Sequence, residues 1–149
     1  MNPNEVRYIV IHCSATRVGQ DFRAIDIDSW HRRRGFKKIG YHYVVDLDGT
    51  IEDGRKLDEE GAHVWGYNNC SVGVCYIGGL DANGEAMDTR TEKQKQALID
   101  LVDVLRQIYP EAEVVGHRDL SPDQDGDGVI KPWEWLKVCP CFEVRKEYK

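Results

Sequence analysis

A chain of 149 residues with 41% hydrophobic and 31% charged residues can bury one sizeable core, and it is too apolar for a disordered segment. Its net charge of −6 argues against the phosphate backbone of nucleic acid as the main partner. No apolar run approaches the ~20 residues of a membrane helix, so membrane insertion is not expected.

Arg7 to His12 reads as a strand buried on both faces, being a continuous β-branched and aromatic run. Ala24 to Arg34 reads as a helix with Ile27, Trp30 and Arg34 on one stripe and Gly35 just past its end. Tyr41 to Asp46 alternates, which puts Tyr41, Tyr43 and Val45 on one face and turns His42 to the other. The Asp48-Gly49 pair then predicts a hairpin returning through Thr50 to Glu52. Ser71 to Ile77 is a further apolar strand, ending at Gly78-Gly79.

The clearest helix runs from Glu92 to Tyr109. Thr91 and Gln94 form a capping box, Leu98, Leu101, Leu105 and Ile108 share one face, and Pro110 stops it. Glu113 to Gly116 is a short strand. Pro132 opens a short final helix to Leu136, anchored by Trp133 and Trp135. The fold class expected is α/β: a single domain over residues 1–149, with a mixed β-sheet flanked by α-helices.

Chemistry concentrates between Gly116 and Cys141. His12 and His117 each end a short apolar strand, where open α/β sheets hold their ligands. Each is a candidate metal ligand or acid/base group, the alternative being a hydrogen-bonded histidine at the core margin. Cys139 is the candidate third ligand, the alternative being a small buried hydrophobe. Two imidazoles and a thiolate would leave zinc a formal charge of +1, enough to polarise a carbonyl. Lys137, two residues away, could stabilise a developing oxyanion. The five cysteines (Cys13, Cys70, Cys75, Cys139 and Cys141) are an odd number with no paired Cys-x-x-Cys set. With no signal peptide visible at Met1 to Val6, they read as free thiols or ligands.

Several motifs occur in order along nearly the whole chain: His12-Cys13-Ser14-Ala15-Thr16, Trp30-His31, Gly40-Tyr41-His42-Tyr43, Gly61-Ala62-His63, Asn69-Cys70-Ser71-Val72-Gly73-Val74, Gly116-His117 and Lys137-Val138-Cys139-Pro140. Together they resemble the zinc-dependent N-acetylmuramoyl-L-alanine amidases of phage type, relatives of the peptidoglycan recognition proteins. The resemblance implies zinc held by His12, His117 and Cys139, with Tyr41 and Lys137 as the catalytic pair. It implies His63 and Asn69 as substrate-binding residues, bacterial peptidoglycan (stem peptide and muramic acid) as the partner, and cleavage of the bond from N-acetylmuramic acid to L-alanine. It further implies a monomeric phage or prophage lysis enzyme that accumulates in the cytoplasm and reaches the wall after release. The rival on the same fold is a non-catalytic peptidoglycan-binding module, which the presence of Cys139, Tyr41 and Lys137 disfavours. His31 reads as a solvated or core-edge residue. Trp65 and Tyr67 are candidates for the cleft wall. The basic run Arg32-Arg33-Arg34 with Lys37-Lys38 reads first as a solvated helix end and second as a contact for stem-peptide carboxylates.

The chain departs from the compact phage pattern between residues 117 and 137, where an acidic loop is inserted. Asp123, Asp125 and Asp127 fall at positions 1, 3 and 5 of a calcium loop, Gly128 at 6, the Val129 carbonyl at 7 and Glu134 at 12. This predicts a lone structural calcium site, the alternative being an acidic surface turn. Pro122 and the missing entering helix argue against a paired EF-hand.

Overall fold

The β-branched run near the N-terminus forms β1, Tyr8–Cys13, which pairs in parallel with two later strands. The computed structural model describes residues 1–135 and 137–148. A short parallel pair joins β2 (Thr16–Arg17) to β6 (Gly79–Leu80). Helix α1 spans Ala24–Arg33, and β3 (Tyr43–Val45) turns into antiparallel β4 (Ile51–Asp53) through the expected hairpin. β5 (Ser71–Tyr76), α2 (Glu92–Ile108), β7 (Glu113–Gly116) and a four-residue helix α3 (Val144–Glu147) complete the chain. The main sheet has the order β4-β3-β5-β1-β7 and is parallel except at β4. Its central strands are covered on both faces, which is why they read as unbroken apolar runs rather than alternating ones.

The two faces do different work. Ile9, Ile11, Val72 and Val74 pack against Ala97, Leu98, Leu101, Val102 and Leu105 of α2. On the opposite face Val44 and Cys75 meet Ile27 of α1, while Val10 and Val115 meet Val64. α2 is tied to the sheet by polar contacts as well. The capping box forms as predicted: Gln94 N donates to Thr91 Oγ1 at 3.1 Å, and Thr91 N to Gln94 Oε1 at 2.9 Å. Gln94 Nε2 then donates to the carbonyls of Ile77 at 2.9 Å and Val45 at 3.3 Å, joining the ends of two strands.

Four expectations are corrected. Ile108 is 45% exposed, because α2 ends there and Tyr109, leaving the helix with φ −125° and ψ 72°, turns its own ring into the core. Tyr41 does not share a face with Tyr43 and Val45. The strand begins only at Tyr43, so Tyr41 packs on the α1 side while Tyr43 and Val45 contact the α2 side. In place of a helix from Pro132 there is one 3-10 turn, Pro132–Glu134; Leu136, its expected end, lies outside the described residues. Trp133 is exposed rather than an anchor, whereas Trp135 is partly covered by the Arg118 guanidinium, 3.9 Å from its ring centroid.

Replacing Gln94 by Leu takes the side-chain donor from the Ile77 carbonyl, leaves the Val45 carbonyl only its bond from Ile77 N, and removes half of the capping box. The variant should lose about 1–3 kcal/mol of stability, measured by urea denaturation with an unchanged slope.

Candidate metal centre and cleft

Register delivers the first two candidate ligands. Ile11 of β1 pairs with Gly116 of β7, so the next residues, His12 and His117, leave the two strands side by side with ring centroids 4.6 Å apart. His12 falls on the face of Val10, the α1 side, since alternation sends Ile11 and Cys13 to the α2 side. Cys139 arrives from the C-terminal segment, which is fixed at several points. Arg118 N donates to Cys139 O at 3.0 Å, and the buried Tyr76 hydroxyl donates to Pro140 O at 2.6 Å. Gly116 matters here: a Cβ on it would lie 2.8 Å from Pro140 Cδ. The outcome is a set of two imidazoles and one thiol whose ligand atoms all lie within 4.8 Å of one another.

The surroundings suit a metal of zinc type. Burial pushes His12 well below the ordinary histidine pKa, with His63, His117 and Lys137 adding to the effect. His117 is lowered to about 4, by burial and then by Lys137. Both imidazoles therefore present free lone pairs near neutral pH. The backbone N–H of Cys13 points at Cys139 Sγ at 3.1 Å, a donor matched to an anionic sulfur. The donor set, its spacing and its opening onto a cavity thus fit a three-ligand site with room for a fourth group.

That cavity measures about 720 Å³ and is lined by His12, His117, Cys139, Tyr41, His63 and Lys137 among others. Tyr41 lies with its ring centroid 5.0 Å from that of His12; its hydroxyl is pushed well above the usual tyrosine pKa by burial, so it stays protonated. Lys137 is exposed at the rim. His63 Nδ1 is 2.8 Å from His12 Nε2, and its Nε2 is 3.2 Å from Ser71 Oγ. Its pKa is lowered well below the ordinary value, chiefly by burial. His42 is excluded from the cavity because both of its ring nitrogens are committed: Nδ1 accepts from Gly73 N at 3.1 Å and Nε2 meets Glu59 O at 2.8 Å.

Asn69 is exposed and is not among the cavity residues; the adjacent Asn68 is, and its Oδ1 accepts from His63 N and Val64 N at 2.8 and 2.9 Å. A one-residue difference inside an Asn-Asn pair leaves no trace in a sequence pattern. Trp65, 94% exposed, lines both this cavity and a smaller one of about 450 Å³ that also holds Tyr67, Leu120 and Lys137. His31 is buried at the cavity wall, accepting from Gly40 N at 2.9 Å through Nδ1. Among residues the sequence did not single out, Cys13 supplies the N–H to Cys139. Its thiol is pushed up to about 12 by the contact with Cys139 and by burial.

The inserted loop does bring Asp123, Asp125, Asp127 and Glu134 together, with oxygens within 4.8 Å of one another. Part of their charge is offset from within. Lys131 Nζ lies 2.5 Å from Asp127 and 3.3 Å from Asp125. Asp123 accepts from the amides of Gly126 and Gly128, and Glu134 from those of Gln124, Asp125 and Lys131. Val129 is exposed, and its amide donates to Asp127. The ammonium of Lys131 thus takes up two of the four carboxylates the calcium expectation gave to a cation, backbone amides take up the other two, and calcium gains no support.

Comparison with known proteins agrees with this geometry. Residues 2–129 match the family model described as N-acetylmuramoyl-L-alanine amidase. The endolysin of Enterobacteria phage K11 is 37% identical over 145 residues, covering 97% of this chain and 87% of its own. The endolysin of Escherichia phage T7 is 34% identical over 138 residues, covering 93% and 82%. Among solved structures, the N-acetylmuramoyl-L-alanine amidase LysC from Clostridium intestinale superposes with a TM-score of 0.73 at 26% identity, covering 98% of this chain and 84% of that one. The fold and cleft define a peptidoglycan-directed amidohydrolase of the phage-endolysin type. The chain belongs to the N-acetylmuramoyl-L-alanine amidase family. Among the described residues no helix is long and apolar enough to cross a membrane.

Two outcomes follow. In metal-free protein the buried histidines take up protons more readily when unfolded, so their folded pKa values lie below the unfolded value of about 6.5. Their contribution is intact above that value and is lost as pH falls toward about 4. The thermal midpoint should drop across that window, and less steeply in His117→Asn. For the loop, melting curves in calcium and in a calcium-selective chelator should coincide. A calcium-dependent rise abolished by Asp125→Asn would show instead that a cation displaces Lys131.

Proposed function

We propose that the chain is a zinc-dependent hydrolase of the amide bond between N-acetylmuramic acid and L-alanine in peptidoglycan, acting as a phage or prophage lysis enzyme. The observation that carries this reading is the convergence of His12, His117 and Cys139 beside Tyr41 and Lys137 in one cavity. Likeness to phage endolysins over nearly the full chain supports the lytic setting, with accumulation in the cytoplasm and action on the wall after release.

Bound by these residues, zinc would supply a Lewis acid and lower the pKa of a coordinated water. The protein's own groups then have distinct tasks. Lys137 offers an ammonium at the cavity rim to the oxygen that gains charge as the amide carbonyl is attacked. Tyr41, held protonated by burial, donates a hydrogen bond and orients the reacting groups rather than acting as a base. His63, bridging His12 to Ser71, fixes the orientation of His12 and closes the cavity floor against the sheet.

Cys139→Ser should lose bound zinc, measured by metal analysis, together with release of stem peptide from purified cell wall. Full zinc occupancy with full activity in that variant would overturn the ligand assignment. Lys137→Ala should keep its zinc while kcat falls about 10²–10³-fold, the size seen when an oxyanion donor is removed.

A further inference from the structure

Of the five free cysteines, Cys139 joins the candidate metal set. Two other thiols meet beside it and have no part in the proposed reaction. Cys13 Sγ and Cys141 Sγ lie 4.0 Å apart, in van der Waals contact across 128 residues of sequence.

The fold brings these two sulfurs together from separate elements. Cys13 is the last residue of β1, and alternation sends its side chain to the α2 side of the sheet. Cys141 belongs to the C-terminal segment, two residues beyond Cys139. Its amide donates to Val138 O at 3.0 Å, and a φ of +72° puts it in the left-handed region that residues with a Cβ seldom adopt. Gly79 of β6 makes room for the pair: a Cβ there would lie 2.6 Å from Cys13 Sγ. Over that bare backbone Cys141 Sγ lies 3.4 Å from Gly79 O. A disulfide holds its sulfurs at about 2.0 Å, so the pair must close by roughly 2 Å, a movement on the scale of rotation about a Cα–Cβ bond.

Cys139 is the competing partner, since the Cys13 amide points at its sulfur at 3.1 Å. That sulfur, however, lies within 4.8 Å of ligand atoms of His12 and His117, and a thiolate that holds a metal has its lone pair engaged. The other two thiols also differ in access. Cys141 is partly exposed, whereas Cys13 is buried. An external disulfide therefore reaches Cys141 first, and Cys13 is placed to complete the exchange.

We propose that Cys13 and Cys141 form a redox pair that closes to a disulfide in an oxidising compartment and ties the segment carrying Cys139 to β1. The oxidant is a small-molecule disulfide. The Cys141 sulfur attacks one of its sulfurs, forming a mixed disulfide and releasing one small thiol. The Cys13 sulfur then attacks the Cys141 sulfur, forming the internal S–S bond and releasing the second small thiol. The protein gives up two electrons and two protons, and the oxidant leaves as two thiols. The lytic setting proposed above would supply the occasion: a cytoplasm keeps such a pair reduced, and passage to the wall exposes it to oxidation.

The test incubates zinc-loaded protein to equilibrium in a buffer rich in glutathione disulfide, then alkylates free thiols under denaturing conditions. The intact mass should show the loss of two hydrogens, and peptide mapping should join Cys13 to Cys141 and find Cys70, Cys75 and Cys139 alkylated. The thermal midpoint should rise by roughly 5–15 °C and fall back on reduction with dithiothreitol. Cys141→Ser should keep the zinc content and activity of the reduced wild type, yet show neither the cross-link nor the rise. Four results would each overturn the proposal: no cross-link in the wild type, glutathione remaining on Cys141, a bond that includes Cys139, or a cross-linked protein that melts no higher than the reduced one. If the wild type binds no zinc, the metal reading is at fault. The map of the metal-free protein then still decides, by whether Cys13 joins Cys141 or Cys139.

Discussion

Because β1 and β7 run parallel with Ile11 opposite Gly116, both strands release the chain at the same end of the sheet and in the same register. His12 and His117 become neighbours by that fact alone, across more than a hundred residues of sequence. A slip of one residue in β1 would turn His12 into the α2 core and swing the Cys13 side chain out of that core into the cleft. The β1–β5 pairing makes such a slip costly, since six consecutive residues of each strand are matched and every one from Ile9 to Cys13 is buried. The register is therefore set by the hydrophobic core, and the candidate ligands inherit their positions from it.

The third ligand follows a different logic. Cys139 belongs to no strand, and its position depends on hydrogen bonds to its own backbone and sulfur. These come from Arg118 and Cys13 N–H groups and, one residue on, from the Tyr76 hydroxyl. Arg90 holds the remainder of the segment. Its guanidinium is bonded to Asp88 and Glu147 and lies 3.3 Å from the Phe142 ring centroid, which keeps the C-terminal residues against the core. Two ligands are thus placed by the sheet and one by a polar clamp, so the site forms only when both parts of the chain are folded.

What could be read in the sequence tracks this division. β1, β7 and α2 announce themselves through β-branched runs and a capped helical period, and with them come His12 and His117. Where order is local and irregular, pattern fails. Tyr41 looks like the first residue of an alternating strand, but the ladder starts two residues later and the preceding turn reverses its face. α3 has four residues, too few to show a period, although Val144 and the adjoining Phe142 and Tyr148 join the main core. The acidic loop is the opposite case, its four carboxylates meeting as the spacing requires. Its spacing reproduces a calcium loop, but spacing says nothing about Lys131, whose ammonium folds back onto the carboxylates. Cavity residues such as Asn68 and Cys13 act through backbone contacts, which are not a property of residue type alone.

The cleft also depends on an absence. Gly73, in the middle of β5, is buried beneath His63, and a Cβ there would lie 2.7–2.8 Å from three atoms of the imidazole. The bare backbone lets the ring lie flat on the strand, close enough for Nδ1 to reach His12 and for Nε2 to reach Ser71. From the other side Asn68 holds the His63 backbone, and His42 accepts from the Gly73 amide itself. His63 is thus positioned less by any bond of its own than by the space a glycine leaves in an otherwise side-chain-filled sheet. A strand that carried Ala at this position would keep its hydrogen bonds and its core face, yet it would push His63 toward the cavity and against His12. The same sheet that supplies stability through its α2 face supplies the floor of the cleft through its α1 face, and the second task is what sets Gly73 apart from the valines beside it.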